Sequence, residues 1–283
     1  MDATLSYLTS LYSMSGAQTG SGGMLGSLYG FGGQSANGLG KNPVAALLSA
    51  EKKQTQSIGL TAAQPDVKRA MNAFVAGVGS AKTVQQMLAN PAVMKVLLTA
   101  NGLADQVPYT ALAQKTLQSN VNDPRSLANK LADTRWKPVV ATYDFANKGL
   151  GVIQDPKVIA TITSAYAEVT WRQSLDASTP GLSNALTFRK QASTITSVDQ
   201  ILGDPVLRKV VTTALSIPLE IAFQPLQAQE KAVSARLDIS KFKDPKFVES
   251  FVQRYLVAAN TNATPGSTPD MTMLAVQARG LVV

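Results

Sequence analysis

Six times in this chain an Asp or Asn stands directly before a proline: Asn42-Pro43, Asn90-Pro91, Asp123-Pro124, Asp155-Pro156, Asp204-Pro205 and Asp244-Pro245. Inside a helix a proline removes a hydrogen bond and clashes with the preceding turn. At the first helical position it loses nothing and arrives with φ already set. An Asx oxygen one residue earlier can accept from the orphan amides of the first turn. The residues that follow agree with this reading. Val93, Val96, Leu97 and Ala100 make one apolar stripe, Val158, Ile162, Tyr166 and Val169 a second, and Leu207, Val210, Val211 and Ala214 a third. Phe247, Phe251 and Tyr255, beside Val248, Val252 and Leu256, make the widest. All recur at helical spacing, and alternation of the strand kind is scarce. The expected fold class is mainly α, a helical bundle in which each Asx-Pro step opens a helix.

One of these corners occurs twice. TVQQMLANPAVMKVLLTANGL (83–103) aligns without gaps on SVDQILGDPVLRKVVTTALSI (197–217), with the helix-start pair in register and Val84/Val198, Gln86/Gln200, Leu88/Leu202, Lys95/Lys209 and Thr99/Thr213 among the identities. A weaker correspondence sets SLANKLADTRW (126–136) against LDISKFKDPKF (237–247), pairing Asp133 with Asp244 although Thr134 replaces the proline. The expected helix caps are therefore Asn90, Asp123, Asp133, Asp155, Asp204 and Asp244. Two repeat units are expected at about 82–150 and 196–262, with intervening helices at 151–195, in a duplicated helical domain over 63–262. Helix pairs duplicated in this way stack to bury faces that neither could bury alone.

The ends differ in composition. Residues 15–40 are dominated by Gly and Ser, which makes ordering costly in chain entropy. Residues 1–62 are expected to be a flexible arm, of which 1–40 is dispensable for folding but needed for targeting or docking, and in which Met24, Leu25, Leu28, Tyr29 and Phe31 are isolated apolar anchors for a partner. TNATPGSTPD (261–270) is a second break, and 263–283 is expected to be a tail. The N-terminus has an acid at position 2 and no basic region before its apolar residues, so it does not read as a cleaved secretory signal. No apolar run is long enough to span a bilayer.

The chain has 283 residues, 45% of them hydrophobic, which suits a folded body. It contains no Cys and no His. That removes disulfides, thiolate chemistry, the commonest metal ligand and the commonest general base. No cofactor, metal or small-molecule substrate is expected. The net charge of +8 favours anionic partners in general, but the cations are scattered and form no dense nucleic-acid block. Lys157, Arg208, Lys209 and Lys246 fall in the first two turns of expected helices. They either form a basic face for an acidic partner or are solvated surface cations.

SLANKLADTRW, the preceding LLTANGLAD and TVQQMLANPAVMKVLL resemble segments of a bacterial family of unknown function whose members are often encoded among flagellar genes. The resemblance covers about residues 80–262. It implies a non-enzymatic structural or assembly component of the flagellum, with other flagellar proteins or further copies of itself as partners. It transfers no catalytic or binding residue. The implied location is the flagellum, if the chain is exported without a cleaved signal, and otherwise the cytoplasm. Two other classes compete. A peptidoglycan-remodelling hydrolase would need paired carboxylates, for which Glu168, near Trp171 and Arg172, is the best acid. The alternative for Glu168 is a surface ion pair with Arg172. A basic nucleic-acid-binding protein is the third class, and its affinity would fall steeply with salt.

Overall fold

The structure is a computed structural model that describes residues 42–263. The described residues are all-α, without strands. The helices are α1 Pro43–Lys52, α2 Gln54–Ala63, α3 Pro65–Ser80, α4 Val84–Leu88, α5 Pro91–Ala100, α6 Thr110–Leu117, α7 Leu127–Lys130 and α8 Trp136–Tyr143. There follow α9 Phe145–Lys148, α10 Gly151–Gln154, α11 Pro156–Leu175, α12 Leu182–Gln191, α13 Val198–Gly203, α14 Pro205–Ala214, α15 Leu226–Ser234 and α16 Pro245–Ala263. Short 3-10 turns lie at Ala104–Gln106, Ala192–Thr194, Leu219–Phe223 and Ile239–Lys243. No described helix is long and apolar enough to cross a membrane.

Five of the six Asx-Pro steps open helices, and the Asx side chain does the work anticipated. Asn42 accepts from the amides of Val44 and Ala45, Asn90 from Ala92 and Val93, and Asp204 from Val206 and Leu207. Asp155 accepts from Lys157, and Asp244 from Lys246. Asp123 and Asp133 are different. Asp123 accepts from the Arg125 amide in a tight turn, and α7 starts later, after Ser126. The Asn129 side chain holds that turn closed by donating to the carbonyls of Val121 and Asp123. Asp133 accepts from the Arg135 amide and side chain, and α8 starts at Trp136. Both open turns rather than helices.

The duplicated corner repeats at the level of single hydrogen bonds. Thr83 caps α4 by accepting from the Gln86 amide, and Ser197 caps α13 by accepting from Gln200. Gln86 reaches back to accept from the Lys82 amide as Gln200 does from Thr196, so each corner has the same variant of a capping box, in which the glutamine takes the amide just before the cap instead of the cap's own. At the far end α5 and α14 stop alike. Gly102 and Ser216 both take positive φ, 75° and 51°. The next amides, Leu103 and Ile217, donate back to Leu98 and Thr212, the Schellman pattern. A serine in this region carries a strain that glycine avoids.

Packing moves the repeat boundaries. α5 lies against α3 and α11, as α14 lies against α12 and α16. The partner of 3-10 turn 239–243 and α16 is thus α10 and α11, not the 126–136 segment. The sequence agrees once the offset changes: Asp155-Pro156-Lys157 matches Asp244-Pro245-Lys246, and Tyr166 matches Tyr255. Residues 151–175 therefore close the first repeat instead of intervening, and the segment carrying α7, α8 and α9 is an addition to it. Each half has its own core. The first contains Phe74, Met87, Leu97, Trp136 and Tyr166, and the second contains Phe188, Leu202, Phe242, Phe251 and Tyr255. α11 contributes to both, with Ile162, Tyr166 and Ala167 in the first core and Trp171 in the second.

The expected arm at 1–62 is also corrected. Chain contacts divide the protein at Lys41, and Asn42 begins the compact unit. α1 packs on α12 and α16, α2 on α3 and α11, and Leu47 is fully buried in the second core. The apolar spacing Pro43, Leu47, Ala50 on one face supplies the reason. Met24, Leu25, Leu28, Tyr29 and Phe31 lie outside the described residues, as does the tail beyond 263.

Asp204 is buried, and burial raises its carboxyl pKa against the lowering effect of the Leu207 and Val206 amides. A folded-state pKa above the unfolded one gives stability that is present at low pH and lost as pH rises through the folded value. Asp204→Asn keeps the cap and removes that loss. It should therefore match or exceed the parent at pH 7, with the advantage vanishing below about pH 4, whereas Asp204→Ala should cost about 1 kcal/mol at pH 7. Urea unfolding across this range measures both. Leu47→Ala should cost about 2–5 kcal/mol, while removal of residues 1–41 should leave the melting temperature in place.

Candidate functional site

The two halves meet along a cleft whose walls carry most of the buried charge of the described residues. One part, of about 710 Å³, is lined by the 128–141 segment on one side and by 187–207 on the other. A neighbouring part, of about 670 Å³, shares Asn101, Gly102, Arg135, Thr187, Gln191, Thr194 and Val206 with it and runs on to Arg172, Asp176, Lys190 and Lys209. The loop between α7 and α8 reaches across this cleft. The Thr134 amide donates to the Gly203 carbonyl at 3.1 Å. A proline at 134 would have no such donor, so a residue with a backbone amide is needed there to tie this loop to the second half.

Arg135 sits where the halves meet and is saturated. Its Nε donates to Asp133 at 3.0 Å, Nη1 to the Gly102 carbonyl at 2.7 Å and to Asp105 at 2.9 Å, and Nη2 to Asp105 at 2.8 Å and Asp133 at 2.7 Å. The planar guanidinium fork thus uses all its edges. Burial opposes the charge on Arg135, but the hydrogen bonds and fields of Asp133 and Asp105 outweigh it and raise its pKa. The Asp105 carboxyl is held below its ordinary value: burial pushes it up, and the bonds from Arg135 and Gln106 more than offset that. Such a group positions the backbone and has little capacity left for a ligand.

A second polar cluster lies between α1, α11 and α12. Glu168 accepts two bonds from Lys190, at 2.9 and 2.8 Å, and pairs with Arg172 at 3.5 Å. Arg189 pairs with Glu51 across the same cavity, which also touches Trp171. The sequence reading had Glu168 beside Trp171 and Arg172 but missed Glu51 and Lys190. Both carboxylates of this cavity, Glu168 and Glu51, are thus engaged in ion pairs. Arg172 is buried, which lowers its pKa against the field of Glu168, and it also donates to Thr187. Burial pushes the Asp176 carboxyl up, although it accepts from the Ser183 amide at the start of α12.

The cations expected as a partner surface separate. Arg208 and Lys209 line a groove with Ile221, Tyr255 and Ala259, while Lys157 and Lys246 stand exposed at the starts of α11 and α16. What sequence reasoning missed is the exposed aromatic loop. Phe223 is 89% exposed, Leu226 55%, and Tyr109, in the same loop of the first repeat, 60%. The duplication offset, extended a few residues beyond 217, would have paired these loops.

The close approach at Gly203 is testable. A Cβ there would lie 2.8 Å from the Ala132 carbonyl oxygen and run into the Thr134 side chain. Gly203→Ala should cost about 1–3 kcal/mol by denaturant unfolding. Gly79→Ala, whose Cβ meets nothing within 4 Å, should be neutral or stabilising by up to about 1 kcal/mol.

No curated protein matches the chain. A crystal structure of a protein from Agrobacterium tumefaciens, 23% identical, superposes with a TM-score of 0.69 over 82% of this chain and 99% of that one, which shows a shared fold. Residues 100–248 match the family described as "Protein of unknown function (DUF1217)". That span is just over half of the chain and includes both the Arg135 loop and the groove residues Arg208 and Lys209, so this chain belongs to the DUF1217 family.

Proposed function

We propose that the protein is a non-enzymatic structural or assembly component of the bacterial flagellum, acting through protein–protein contacts. The observation that carries the contact role is the repeated exposed loop. Tyr109 projects just after the 3-10 turn of the first repeat and Phe223 at the end of the 3-10 turn of the second, and Phe223 is followed by Leu226 at the start of an α15 that buries little besides Val233. Large apolar side chains left in water at matching places of two repeats suit partner anchoring, since aromatics dominate interface energetics. The saturated ion pairs of the cleft suit a rigid scaffold. The flagellar setting rests on the resemblance of the LLTANGLAD and SLANKLADTRW segments.

The test is capture from cells, comparing cytoplasm with purified flagella. The parent chain should retain a flagellar component, and Phe223→Asp should lose it by at least tenfold while keeping the same circular dichroism and melting temperature. Recovery of no flagellar protein would overturn the reading. The cavity shared by Glu168 and Glu51 supports hydrolysis as a second reading. Clearing of peptidoglycan by the parent, abolished in a folded Glu168→Gln, would establish it in place of the first.

A further inference from the structure

The two repeats differ in one place that the fold leaves open. In the first, Met94 and Leu98 of α5 are buried in the core. Their counterparts on α14 are Arg208 and Thr212. With Pro180, Ile221, Tyr255 and Ala259, these line a groove of about 440 Å³ that is mostly apolar, with Arg208 and Lys209 at its edge. Tyr166 of the first repeat is the counterpart of Tyr255, so the groove is the open version of a region that the first repeat closes with its own side chains.

The position of α16 says what reaches this groove. Tyr255 and Ala259 lie on it, and α16 ends at Ala263, about one turn further on. Asn260 holds this end against the groove wall by donating to the Pro180 carbonyl at 3.0 Å. The chain therefore leaves the fold at the groove's mouth. Residues 264–270 read TPGSTPD, a set of turn formers, and seven residues reach up to about 23 Å when extended. Beyond them Met271, Leu274, Ala275, Ala278, Leu281 and Val282 recur at the spacing of one helical face, while Thr272, Gln277 and Arg279 fall elsewhere. Asp270, just before that stripe, has a charge opposite to that of Arg208 and Lys209.

We propose that residues 271–282 of the same chain dock in this groove, closing in the second repeat what Met94 and Leu98 close in the first. The docking leaves Phe223 free and does not depend on the flagellar reading. The absence of cysteine from the chain makes a clean test. Ala222→Cys, on the exposed groove wall, is combined in turn with Met271→Cys, Leu274→Cys and Ala278→Cys in the full chain, which is then oxidised at low concentration. A disulfide needs Cα atoms within about 7 Å. The expected result is a monomer with an internal disulfide for at least one pair, and none when Lys130→Cys replaces Ala222→Cys. Equal yields with both positions, or none with either, overturn the proposal. Disulfide-linked dimers overturn it in favour of docking by a second copy. Removal of 264–283 should also raise hydrogen exchange at the 219–223 amides at least severalfold, and unchanged exchange there counts against the proposal.

Discussion

The Arg135 guanidinium is the fixed point of the fold. It binds two carboxylates and a carbonyl at once, and through them it locks the loop before α8 to the end of α5. The next residue, Trp136, is a core side chain of the first half. The preceding residue, Thr134, is tied to the second half. Three consecutive residues thus anchor a helix cap, a core and the seam between repeats. A buried arginine is favourable only when its donors are met, and here the Schellman turn at Gly102 presents the carbonyl that completes the set. The geometry of one turn and the ion pairs of another depend on each other.

Duplication explains much of the remaining architecture. Each half carries a capping box, an Asx-Pro corner, a left-handed stop and a long helix that covers the result. The halves then diverge in what covers α6 and α15. The first adds α7, α8 and α9, bringing Trp136 and Tyr143 into its core, with the Tyr143 hydroxyl accepting from Asn101 at 2.9 Å. The second has no such addition, and α15 remains largely exposed.

The fold class and most of the caps were legible because they are local. An Asx oxygen and a proline ring act within one turn, and an apolar stripe is visible in any window of the right length. The corner at 83–103 and 197–217 was legible because no insertion separates its parts. The pairing of its later half was not, since the α7–α9 addition shifts the offset and a nearer Asp133 offered itself in place of Asp155. Asn42-Pro43 marked the start of α1, but α1 and α2 were assigned to the arm because small residues such as Ala46 and Ala50 give a weak stripe, yet small residues are what allow α1 to lie close on α12 and α16. Glu168 and Arg172 could be paired because they lie four residues apart, but the ion pairs between distant segments could not: Asp105 and Arg135, or Glu51 and Arg189, are brought together only by the tertiary path.

α11 has a consequence for how this protein can be divided. Its twenty residues, about 30 Å of continuous helix, place Tyr166 in one core and Trp171 in the other. A cut anywhere between the repeats would strip a wall from at least one of them. The duplication that produced two copies thus ended in a chain whose halves can no longer be inherited, expressed or exchanged as separate modules.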